Sequence, residues 1–115
     1  MTDKYSTYPV LVCILNPLTR ELLHINIPSK GWVLPLLKAN RSNSIFLQVR
    51  DQLSREGLFP LGIEYIRDFL LWGEQTSLLI AYSLNIIETS KQDFSFLPIN
   101  KVYPLQLRAE ITPYI

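Results

Sequence analysis

The sequence predicts an α+β domain, one main helix packed on a mixed β-sheet. Three observations predict it. Apolar, β-prone runs recur at Tyr8–Leu15, Leu22–Ile27, Leu61–Trp72 and Ser77–Ile87. A single stretch, entered at Ser42–Ser44 and left at Gly57, carries a strong helical period. Turn-forming residues between the β-prone runs group them into two hairpins.

Tyr8 to Leu15 is almost unbroken in apolar character and suits a strand covered on both faces. Asn16-Pro17-Leu18-Thr19-Arg20-Glu21 supplies a turn, and Leu22 to Ile27 returns. Leu23, Ile25 and Ile27 fall on one face, so His24 is expected half-exposed on the other. After the loop Pro28–Gly31, Trp32-Val33-Leu34 reads as a short extended piece, because Pro35 disfavours the helical region for Leu34. Leu36 to Ser42 reads as irregular. Ser42, Asn43 and Ser44 are competent helix N-caps. Ile45, Phe46, Val49 and Leu53 then form an apolar stripe, and Gly57 stops the helix. Leu61–Trp72 sets Ile63 and Tyr65 against Glu64, Ile66 and Asp68. Gly73–Thr76 reads as a turn, Ser77–Ile87 as the returning strand and Ser90–Asp93 as a loop. Lys101-Val102-Tyr103 reads as a last short strand. Arg108-Ala109-Glu110 begins a helix that Pro113 cuts short.

At 115 residues, 48% hydrophobic, the chain is predicted to be one domain, 1–115, with a core of its own. Eleven Lys+Arg against ten Asp+Glu give a net charge of +1, which disfavours a non-specific nucleic-acid or membrane-surface binder. One cysteine, Cys13, and one histidine, His24, exclude an intrachain disulfide and a Cys/His zinc site. Cys13 lies in the run Val10–Leu15 and reads as a small buried hydrophobe. No secretory signal or membrane-length apolar run is visible, so an intracellular, cytoplasmic location is expected.

The order of elements, together with Gly31-Trp32-Val33-Leu34-Pro35-Leu36-Leu37 and Arg50-Asp51-Gln52-Leu53-Ser54-Arg55-Glu56-Gly57-Leu58, resembles the Nudix hydrolase family over Tyr8 to Arg108. In that family the first segment ends in Gly-Gly. The second reads Arg-Glu-x-x-Glu-Glu-x-Gly and holds Mg²⁺ through its glutamates. Lys101-Val102-Tyr103-Pro104-Leu105 stands where the family has a late Val-Trp segment. The resemblance implies a Nudix-like fold whose C-terminal helix is shortened or absent.

The departures carry the functional expectation. Asp51 replaces the first helix glutamate, Ser54 and Arg55 replace the later pair, and Glu56 lies one place beyond it. Leu36-Leu37 replaces Gly-Gly. Mg²⁺ needs several oxygen ligands. A guanidinium in their place opposes it by about 4 kcal/mol per unit charge at ~4 Å and an effective dielectric of about 20. From this the resemblance implies no catalytic residues, no metal, no cofactor, and a chain that is not an enzyme but a scaffold subunit with a protein partner. The alternative is an atypical metal-dependent hydrolase of nucleoside-diphosphate-linked compounds, or a nucleotide sensor. Trp32, Arg50 and Arg55 are the candidate ligand contacts: an aromatic to stack, and guanidinium groups to pair with phosphate oxygens. Trp72, Ile111, Tyr114 and Ile115 are the candidate interface. Glu64, Asp68 and Glu74 would add acidic groups to a cleft under that alternative, but their alternation more simply marks a solvated strand face.

Overall fold

A computed structural model describes residues 6–83 and 93–115. Its order is β1 (Thr7–Asn16), β2 (Glu21–Ile27), β3 (Gly31–Val33), β4 (Leu36–Asn40), α1 (Ile45–Arg55), β5 (Gly62–Leu71), β6 (Glu74–Tyr82), β7 (Asp93–Leu97), and α2 (Leu105–Ile111). Short 3₁₀ turns, Ile99–Lys101 and Thr112–Tyr114, flank α2. The chain is α+β on a mixed sheet, as the sequence predicts.

The unbroken apolar run of β1 makes it the centre of the sheet. It pairs in parallel with β6 on one side, Val10 opposite Ser77 through Leu15 opposite Tyr82. On its other side it is shared. β4 pairs antiparallel with its first half and β2 with its end, and the Val12 N–H donates to the Pro35 carbonyl at 3.1 Å where the two diverge. β5 pairs with β6, while β3 and β7 pair with β2.

Successive residues of β1 point to opposite faces, and both faces are covered. On one, Val10, Val12, Ile14, Leu79 and Ala81 pack with Val49 and Leu53 of α1. On the other, Leu11, Cys13, Leu15, Leu78 and Ile80 pack with Leu107 and Ile111 of α2. Burying Val49 and Leu53 contributes roughly 1.5–3 kcal/mol each. Gly57, at φ +80°, ends α1, and the N–H groups of Gly57 and Leu58 return to the Ser54 and Leu53 carbonyls. Among the described residues no helix is long and apolar enough to cross a membrane.

Several local expectations are corrected. Leu36–Asn40 is a strand, because β1 leaves half an edge free for it. Asp93–Leu97 is a strand, although Asp93 reads as loop chemistry. The β5–β6 turn is Trp72-Gly73, both at positive φ, and Glu74–Thr76 already belongs to β6. Lys101–Tyr103 is not a strand: Val102 is instead buried against the face covered by α2. That face is not open, for Ile111 is fully buried and Ile115 packs on the same cluster. The expectations for 84–87 and 90–92 lie outside the described residues.

His24 is 1% exposed rather than half-exposed, since the α2 side of β2 is also covered. Its Nδ1 bonds the Leu22 carbonyl at 2.8 Å, and Nε2 is buried with no hydrogen-bond partner among the described residues. Burial lowers its pKa, only partly offset by the Leu22 contact. The unfolded chain therefore binds a proton first as pH falls below about 6.5. Stability is full above that pH and is lost as pH falls toward the lowered folded value. Thermal melts should show a midpoint declining from pH 7 to 5.5, with a flatter profile in His24→Phe. Equal slopes would place the titrating group elsewhere.

Candidate functional site

A cleft of about 240 Å³ lies beyond the start of α1, on the α1 side of the sheet, lined by Tyr8, Arg41, Ile45, Tyr65, Asp68, Gln75 and Ser77. Its geometry follows from three local features.

The first is a β-bulge in β5. Tyr65 lies opposite Leu79 and Arg67 opposite Leu78, leaving Ile66 as an extra residue. One inserted residue reverses the alternation beyond it. Asp68, expected on the face opposite Tyr65, is thereby turned onto the same face. The Tyr65 hydroxyl donates to Asp68 Oδ1 at 2.8 Å, and Ser77 Oγ donates to the same oxygen at 2.9 Å. Desolvation alone would raise the Asp68 pKa. The hydrogen bonds from Tyr65, Ser77 and Gln75, with the charge of Arg41, outweigh it and hold the carboxyl below its ordinary value. The same bond to Asp68 is the main cause raising the Tyr65 pKa, so Tyr65 stays a neutral donor.

The second is the anchoring of the β4–α1 loop. Gln48 of α1 clamps Asn40 from both sides, accepting from its N–H and donating to its carbonyl, each at 2.9 Å. Asn40 Oδ1 accepts from the Ser42 N–H at 3.0 Å. Gln52 donates to the Lys38 carbonyl at 2.7 Å. Arg41 therefore leaves a fixed loop, and its guanidinium carbon lies 5.2 Å from the Tyr8 ring centroid, a cation–π contact. The third is the start of α1 itself. Ile45, its first residue, lines the cleft, and Ser44 makes no side-chain cap bond. The positive end of the helix dipole thus borders the cleft.

The residues singled out from sequence lie mostly elsewhere. Arg55 and Asp51 pair with each other at 2.6 Å on the solvent side of α1. Ser54 Oγ donates to the Asp51 carbonyl at 2.8 Å. Arg50 is exposed and lies about 140° around the helix from Arg55, so the two do not face one ligand. Trp32 is on β3, opposite Asn26 of β2, and does not line the cleft. Glu56 falls on the stripe of Val49 and Leu53, and its Oε2 is buried with no hydrogen-bond partner among the described residues. It lies at the end of α1 away from the cleft. Of the three acidic candidates only Asp68 lines the cleft. Among the described residues no group of three His, Cys, Asp or Glu side chains is placed to hold a metal ion. The described residues therefore do not by themselves make a magnesium site. Cys13, its thiol pushed up to about 12 by burial, is no nucleophile. Of Tyr8, Arg41, Gln75 and Ser77 the sequence gives no sign, because only the bulge and the branching of β1 bring them together.

Comparison with known proteins establishes the fold. One similar structure comes from a structural and functional study of MutT from the fish pathogen Aliivibrio salmonicida and the mesophile Vibrio cholerae. It has a TM-score of 0.68 and 14% identity, covering 93% of this chain and 94% of that one. A MutT protein from Methanosarcina mazei Go1 gives a TM-score of 0.62 and 20% identity, covering 98% of this chain and 95% of that one. No protein-family model matches, and no curated protein is a significant match. The fold is Nudix-like. The expectation of a chain that is not an enzyme is corrected by the same finding: the solved structures that share its fold are MutT proteins.

Proposed function

We propose that the chain is an atypical Nudix-fold hydrolase that takes a nucleoside-diphosphate-linked compound in the Tyr8–Arg41–Asp68 cleft. The observation that carries this reading is the convergence of a cation, two aromatic rings and an ionised carboxylate in one cleft. Arg41 and the start of α1 favour a phosphate group. Tyr8 and Tyr65 offer ring surface to a base. Asp68 accepts from a sugar hydroxyl or an amino group. A volume of about 240 Å³ is below the usual ~300–1,000 Å³ of small-molecule sites, so it suits part of a nucleotide, with the remainder in solvent. In the reaction water adds to one phosphorus of the anhydride, its P–O bond breaks, and two phosphate monoesters leave. The helix sequence Arg50–Glu56 is read as a diverged Nudix box, and one buried thiol suits a reducing cytoplasm. Assay of the purified chain against such compounds, with and without Mg²⁺ or Mn²⁺, tests the proposal. Turnover that falls in Arg41→Ala supports it, and no turnover of any compound overturns it.

A second reading, docking of a protein partner, is favoured by Trp72. Its side chain is 74% exposed, and its φ of +52° is unusual for a bulky residue. Asn-Gly is the preferred pair for such a hairpin turn. Trp72→Asn should stabilise the domain by about 1 kcal/mol, read as a higher melting midpoint, while weakening any partner contact. A lower midpoint would show that the indole supports the fold itself.

A further inference from the structure

We propose that two copies of the chain form a two-fold dimer by antiparallel pairing of their β5 strands, with Glu64 of each copy opposite Arg67 of the other. β5 ends the sheet and, among the described residues, pairs only with β6. Its outer edge therefore offers a row of backbone donors and acceptors to another strand. Ten residues give an edge of about 34 Å. No Pro or Lys interrupts it. Leu61, just ahead of the strand, and Leu70 near its end are 73% and 68% exposed.

The occupant follows from the strand's self-complementarity. With the two-fold axis between Tyr65 and Ile66, Glu64 meets Arg67 twice and Leu61 meets Leu70 twice. Opposed residues in an antiparallel pair must share a face. In a regular strand Glu64 and Arg67, three apart, would lie on opposite faces. The bulge at Ile66 corrects this. Glu64 is opposite Ile80 and Arg67 opposite Leu78, two apart on β6 and hence on one face. Leu61 and Leu70 are brought to the other face by the same step. Arg67 already pairs with Glu110 of α2, so the partner's carboxylate would complete an acid–base–acid network. A bulge usually protects an edge. Here it sits at the axis, and the segments on either side, Gly62–Tyr65 and Arg67–Leu71, keep regular pairing with β6. An unrelated strand would satisfy the backbone but not the reciprocal charges, which is why a second copy fits this edge.

Sedimentation velocity over a concentration series tests the proposal. The unmodified chain should show a monomer–dimer equilibrium. Glu64→Lys and Arg67→Glu should each weaken dimerisation on the order of tenfold by opposing like charges. An equimolar mixture of the two variants should dimerise again, since every introduced charge then meets its opposite. Should Arg67→Glu fail to fold against Glu110, Arg67→Glu/Glu110→Arg carries the same reversal, with circular dichroism confirming the fold. A chain that stays monomeric throughout, a dimer indifferent to both reversals, or a mixture that fails to recover would each overturn the proposal.

Discussion

Leu79→Ala is expected to destabilise the domain by about 3–4 kcal/mol, within the range of buried Leu truncations. Leu79 has no exposed surface and stands in β6 between Val12 of β1 and Tyr65 of β5. It packs in the same cluster as Val49 and Leu53, so its removal leaves a cavity under α1 that neither sheet nor helix can close without losing register. Small domains hold only about 5–15 kcal/mol in total. The melting midpoint should therefore fall by roughly 10–20 °C. Leu47→Ala, on the exposed face of α1, should change it little. Comparable losses at both positions would contradict the assigned core.

Arg41→Ala should weaken binding of ADP-ribose by about 10–100-fold in calorimetric titration, the equivalent of one charge-assisted hydrogen bond at roughly 1.5–3 kcal/mol. Stability should stay within about 0.5 kcal/mol, because Arg41 is exposed and the Gln48–Asn40 clamp is untouched. Arg41→Lys should recover only part of the loss: a lysine keeps the charge but not the planar fork that lies over the Tyr8 ring. Full recovery by lysine would mean that charge alone matters.

What could be read from sequence divides along a physical line. The helix, its Gly57 stop and the β1–β2 hairpin are local, written in periodicity and turn chemistry. The short α2 was also visible, through Pro113. Leu36–Asn40 was not, because its pairing depends on β1 dividing one edge between two partners. His24 misled because alternation assigns a polar residue outward, while here both sides of β2 are covered. The cleft was largely hidden. Asp68 was visible as a carboxylate, but the bulge that turns it toward Tyr65 and Ser77 depends on the register against β6. Arg50–Glu56 carries the family-like motif, but on its exposed helix face Asp51 and Arg55 neutralise each other in solvent. The cationic group at the cleft is Arg41, from the loop before that helix.

The proposed hydrolase activity depends on where a nucleotide sits. Backbone and side-chain NMR shifts recorded during titration with ADP-ribose test this most directly. A nucleotide in the cleft should perturb Tyr8, Arg41, Tyr65, Asp68 and Ser77 and leave Trp32, Arg50 and Arg55 unaffected. Perturbations centred on the exposed face of α1, or none at all, would contradict it.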